Sequence, residues 1–209
     1  MGKLRSGILG NIRGKVAGVV GGQWKDVNYL REYVKPANPN TTAQQTQRGK
    51  MARAVAFVKP IVGTVLNVFM DPFQKSMSGF NRFIKSNIQY FIPTGTLSLV
   101  KITEGKLYPA EIDTVTGVSS GKDFSIDFDD ALGSNGNDGD NISALCYNHT
   151  TGQWTQNING TVRSSGTITL TDVNPTAGDK LNFFVFAAQY SGTKLVSVSD
   201  SSNKPFTAL

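Results

Sequence analysis

LNFFVFAA, residues 181–188, is the stretch that decides the fold. Successive side chains of a strand point to opposite faces, so Leu181, Phe183 and Val185 share one face and Phe184 and Phe186 the other. A strand that is apolar on both faces belongs in the middle of a sheet. Its second face must be covered by the N-terminal half of the chain or by a partner. Around it, from Gly95 onward, Phe124, Ile126 and Phe128 alternate with polar neighbours. Ile168 and Leu170 alternate with threonines, and Val196 and Val198 with serines and lysine. Period-two patterning repeated between glycine and asparagine turns over about a hundred residues predicts an antiparallel sandwich of about seven strands.

Upstream the period changes. Met51, Val55, Val58, Val62, Val65 and Phe69 recur at three to four residues, which predicts an amphipathic helix starting near Thr41 or Thr42. Pro60 falls inside it and predicts a kink or two abutting helices. A further helix is expected from Ser78 to Tyr90, with Phe80, Phe83, Ile84 and Ile88 on one side. Pro36 and Pro39 separate these helices from the N-terminal stretch, where Gly21, Gly22 and KDVN split short apolar runs between Lys15 and Val34. That stretch reads as two extended segments joined by a turn, a ribbon with few large side chains. Ordering each residue costs roughly 1–2 kcal/mol, so such a ribbon needs support from elsewhere.

The charges divide the chain of 209 residues in two. Residues 1–100 hold 14 Lys and Arg against three acids, a balance of +11, whereas residues 101–209 balance at −5. An asymmetry of this kind points to one half meeting a polyanion or an acidic protein surface. Lys3, Arg5, Arg13, Lys15, Lys25 and Arg31 supply the basic charge of the ribbon, interleaved with Trp24, Tyr29 and Tyr33. Phosphates are bound by such cations and bases stack on such rings, and an acidic subunit would use the same residues.

Catalytic and metal-binding patterns are weak by comparison. His149 is the single histidine, and no Cys, His or carboxylate spacing resembles a zinc site; no P-loop, nucleophile elbow or dinucleotide fingerprint occurs. No enzyme and no cofactor is expected. The Asp- and Asn-rich loop from Asp129 to Asn141 offers oxygen ligands without the order that a calcium loop requires. Cys146, alone in the chain, reads as a small buried hydrophobe beside Ile142 and Ala144. No apolar run suits a secretory signal, and none approaches the ~20 residues of a membrane span, so no membrane partner is expected.

The segments GKVAGVVGGQW (14–24), YLREYVKPANPNTTAQQTQR (29–48), SIDFDDALG (125–133) and ALCYNHTTGQW (144–154) together resemble a family of small, functionally uncharacterised proteins of Bacteroidota and their phages. The resemblance implies a glycine-rich ribbon ending in a tryptophan, a proline-marked helix start, helices and a C-terminal immunoglobulin-like domain. It brings no catalytic residues.

The expectation is therefore an α+β chain: a basic ribbon and helices over residues 1–94, then an antiparallel immunoglobulin-like β-sandwich over 95–209. Its expected role is a structural subunit of a phage particle, an auxiliary capsid or head–tail protein. Made in the bacterial cytoplasm and residing in the virion, it would oligomerise or join other virion subunits. Lys3, Arg5, Arg13, Lys15, Lys25 and Arg31 would anchor it to those subunits or to packaged DNA, with Trp24 filling a partner pocket. Two further readings use other logic: a cellular nucleic-acid-binding protein using the basic arm, and a glycan-binding or adhesive module stacking sugars on Trp154, Tyr147 and Tyr190.

Overall fold

A computed structural model describes residues 2–4, 13–24, 27–35, 37–73, 76–93, 97–117 and 122–208, the first three by backbone only. The chain divides into two compact units, residues 1–42 and 43–209. The first is a four-stranded antiparallel sheet of β1 (Gly2–Leu4), β2 (Gly14–Val16), β3 (Val19–Trp24) and β4 (Val27–Glu32), in the order β1-β4-β3-β2. The described residues of the stretch 33–41 are exposed and neither strand nor helix.

The second unit begins with α1 (Thr42–Val58). At Pro60, which has no N–H to give the helical ladder, the winding tightens to a 3-10 turn over Lys59–Ile61. It then widens to a π-helical segment, Val62–Met70, and closes on another 3-10 turn, Asp71–Phe73. These changes of pitch move the apolar stripe. Phe57, Val58, Ile61, Val65, Leu66, Phe69 and Met70 are buried, whereas Met51 is exposed and Val55 half-buried. The run Thr42–Phe73 has the length and apolar composition of a membrane-crossing helix, contrary to the expectation from sequence. Its apolar side chains are nevertheless the ones that pack on the sheet of this unit. α2 (Gly79–Asn87) follows, capped by Ser78, whose Oγ accepts the Asn81 amide at 3.3 Å.

Eight strands complete the unit: β5 (Ile112–Gly117), β6 (Phe124–Phe128), β7 (Asn141–Asn148), β8 (Trp154–Val162), β9 (Thr167–Leu170), β10 (Lys180–Ser191), β11 (Lys194–Val198) and β12 (Ser202–Thr207). They form one sheet in the order β11-β10-β7-β8, with β12 also paired to β10, and a second in the order β5-β6-β9. This is the α+β architecture expected, with a β-sandwich, and the pairing follows the immunoglobulin-like pattern of two antiparallel sheets.

β10 holds the layers together. Leu181, Phe183, Val185 and Ala187 meet Phe124, Ile126, Ile168 and Leu170 of the three-stranded sheet. Phe184, Phe186 and Ala188 meet the helices: Phe186 lies edge-on to Phe69 with centroids 4.9 Å apart. The second face of LNFFVFAA is thus covered by helices of the same chain. For this reason the observed division falls at Thr42/Ala43, not at the expected 94/95.

Two polar devices fix the layers. Trp154 Nε1 donates to the Phe57 carbonyl at 2.8 Å while its ring packs at 4.8 Å against the Phe57 ring, clamping the end of α1 to β8. Arg163 is fully buried: Nη1 donates to Ala131 O at 3.0 Å, Nη2 to Tyr108 O at 2.7 Å, and Nε lies 3.5 Å from Asp140 Oδ2. Gly105 lets the segment between the helices and β5 press against β11, since a Cβ there would stand 1.8 Å from Val198 O.

Arg163→Met should lower the unfolding free energy by about 3–5 kcal/mol, because it leaves Asp140 buried without its cation and two carbonyls without donors. Urea titration monitored by tryptophan fluorescence checks this. Cys146 is walled in by the sandwich core, and burial pushes its thiol up to about 12. In native protein at pH 8 it should stay unreactive to a thiol reagent for hours, and react within minutes once urea unfolds the chain.

Candidate anchoring surface

Antiparallel register decides which ribbon side chains share a face. Lys15 of β2 stands opposite Val20 of β3, and Val20 opposite Arg31 of β4, so the two cations flank one valine in a single row. In the next row Gly22 stands opposite Tyr29, and beyond it Trp24 opposite Val27. Lys15 Nζ sits 3.7 Å over the centre of the Tyr33 ring, a contact worth about 0.5–1 kcal/mol at an exposed site. One face of the sheet therefore carries Lys15, Arg31, Tyr29, Tyr33 and Trp24. The other carries Val16, Val19 and Leu30.

The glycines make this face possible. Tyr29 lies across β3 at Gly22, where a Cβ would stand 2.8 Å from the phenol oxygen. Gly22 acts as the bed of a ring, a pairing that gives cross-strand packing to a strand short of side chains.

Of the residues expected to anchor the protein, the structure brings Lys15, Arg31 and Trp24 to this face. Arg13 precedes β2 and hydrogen-bonds Gln23 Oε1. Lys3 occupies the register position opposite Tyr29 through its backbone, and Arg5 and Lys25 lie outside the described residues. Tyr33 was missed as a partner of Lys15, and only the hairpin geometry joins residues 18 apart. Among the described ribbon residues the one that is buried is Gly21, whereas Trp24 is 68% exposed and Val34 70%. The ribbon has strands but no core of its own.

The second unit uses its conspicuous polar and aromatic residues internally. Tyr147, Trp154 and Tyr190, the stacking platform of the glycan-binding reading, pack against the helix-side core. In the Asp- and Asn-rich loop the one buried carboxylate, Asp140, accepts the Asn137 amide at 2.9 Å and faces Arg163, so a guanidinium stands where a cation would. Among the described residues no group of three His, Cys, Asp or Glu side chains is placed to hold a metal ion. His149 Nε2 is 2.6 Å from Asn182 Oδ1, and Asn182 Nδ2 donates to Asn203 Oδ1 at 2.6 Å, so an imidazole and two carboxamides tie the turn after β7 to β10 and β12.

Shifted ionisations have the same structural character. The Thr176 amide and the Asn148 carboxamide hold the Asp179 carboxyl below its ordinary range, and burial raises the Tyr147 phenol. A hydrogen bond from Lys101 to Asp200 at 2.5 Å raises the lysine. Because the native Asp179 carboxyl titrates below its unfolded value, its contribution to stability is present at neutral pH and fades only below about pH 4.

No curated protein matches this chain. A family model described as a family of unknown function (DUF6266) matches residues 11–201, nearly the whole length. The region shared with it takes in β2 to β4 of the ribbon and the second unit through β11, and the chain therefore belongs to that family of unknown function.

Proposed function

We propose that this protein is a structural subunit that joins an assembly through its N-terminal ribbon and performs no catalysis. The observation that carries this reading is a sheet of four strands that buries no large side chain among its described residues while exposing Trp24, Val16, Val19 and Val27. Ordering such a segment costs more than its own contacts return, so a partner must cover it. Residues 43–209, by contrast, have two apolar cores of their own. The division of labour is a rigid body and a strap.

The assembly is, in this reading, a bacteriophage particle, with the protein an auxiliary capsid or head–tail component. The resemblance of its ribbon and proline-marked helix start to proteins of Bacteroidota phages supports that choice. Lys15, Arg31 and Trp24 make the contact, and the partner is another virion subunit or packaged DNA. A second reading is favoured by one feature of the same face: cations beside Tyr29 and Tyr33 on an open sheet suit single-stranded nucleic acid, whose bases stack on rings while phosphates meet Lys and Arg.

Deleting residues 1–34, or substituting Trp24→Ala, should remove the protein from purified particles while residues 43–209 still unfold cooperatively. Normal incorporation of both variants contradicts the proposal. Binding of the isolated protein to random single-stranded DNA, weakening steeply with salt, would instead favour the nucleic-acid reading.

A further inference from the structure

We infer that the ribbon's partner is a second copy of this chain, and that its docking site is the outer face of the three-stranded sheet β5-β6-β9. The inference rests on the anchoring reading above and names the partner.

The inner residues of that sheet, Phe124, Ile126, Ile168 and Leu170, are consumed by the sandwich core. Its outer face is built of two rows read from the register: Thr114, Asp127 and Thr167, then Thr116, Ser125 and Thr169. Thr114 Oγ1 donates to Asp127 Oδ2 at 2.6 Å, which fixes the carboxylate in the middle of the first row. At the strand ends stand Asp123, Asp129, Asp130 and Asp172; the cations beside them are Lys122 and Lys204, whose ammonium donates to the Asp113 carbonyl of β5. This face is hydroxyl-lined and acidic, and its two rows hold no large apolar side chain.

The ribbon presents the complement. Lys15 and Arg31 lie two strands apart, about 10 Å at the usual strand spacing, with only Val20 between them. Thr114 and Thr167 are likewise two strands apart with Asp127 between them. Laid face to face, the two cations straddle one carboxylate, and Tyr29 and Trp24 supply donors to the hydroxyl rows. The layers of the second unit keep the helices off this surface: the described residues of 43–93, which carry six Lys and Arg against Asp71, pack on the opposite side of the sandwich. Eight residues, 34–41, lie between the ribbon and the helix and reach about 26 Å when extended, a tether long enough to let the ribbon meet a neighbouring copy. Such a contact uses different patches on the two copies, so it is head-to-tail and builds rings or filaments.

Light scattering of the full-length chain at low salt and rising concentration tests this. Wild type should grow beyond the monomer, and salt should reverse the growth. A Lys15→Ala/Arg31→Ala variant has an intact acceptor face but no basic ribbon; an Asp127→Lys variant has the ribbon but no acceptor. Each alone should associate at least about tenfold more weakly than wild type. Mixed, they should form a one-to-one dimer and nothing larger, since one good interface remains, and that dimer also shows both variants to be folded. A wild-type chain that stays monomeric, variants that assemble like wild type, or a mixture that fails to pair overturns the inference. Particles that admit Asp127→Lys normally but reject the ribbon deletion would overturn it too, while leaving the anchoring reading standing.

Discussion

β10 is the constraint on which the second unit depends. A twelve-residue strand that buries Leu181, Phe183, Val185 and Ala187 on one side and Phe184, Phe186 and Ala188 on the other needs two covers. The three-stranded sheet is one and the helices are the other. Each fully buried Phe or Leu is worth roughly 1.5–3 kcal/mol of transfer free energy, so neither cover can leave without exposing a large apolar face. The π-helical segment Val62–Met70 and the Trp154 clamp are local adjustments to this demand, seating Phe69 on Phe186 and the end of α1 on β8.

The ribbon obeys the opposite rule. Its alternation is present, but glycines fill positions where a core would stand, and the ring of Tyr29 lies over Gly22. Edge strands with open hydrogen-bonding groups invite pairing with another chain, and a basic aromatic face adds a preference for what covers it. The same sequence thus contains a body that has satisfied its own surfaces and a strap that has not. Charge follows the division. Arg163 and Asp140 neutralise each other inside the body, whereas Lys15 and Arg31 remain on the outside of the strap with no acid in their row.

Much of this was legible in the residues. The doubled apolar face of LNFFVFAA announced a central strand, Pro60 announced the break in the helix, and the isolation of Cys146 beside Ile142 and Ala144 announced its burial. What was not legible depended on contacts distant in sequence. Whether Phe184 and Phe186 face helices or a partner turns on a helix more than a hundred residues earlier, so local pattern places a boundary at 94 whereas contacts divide the chain at 42. Trp154 reads in the sequence as readily as a sugar platform as a core residue, because the partners that decide between the two, the Phe57 carbonyl and ring, lie 97 residues away. Arg163 passed unnoticed, since a cation's burial leaves no mark in its neighbours Val162 and Ser164. The ribbon's two extended segments were visible, but the pairing of β1 with β4, which makes four strands of them, follows from register alone.

The central claim is that residues 14–32 hold their strands only when another molecule covers them. Hydrogen–deuterium exchange of the full chain, followed by mass spectrometry in a dilute monomer and again in the assembled state, tests it most directly. Amides of β2, β3 and β4 should exchange within seconds in the monomer and become protected on assembly, while those of β7 and β10 are protected in both. Protection of β2 to β4 in the dilute monomer, equal to that of β10, would contradict it.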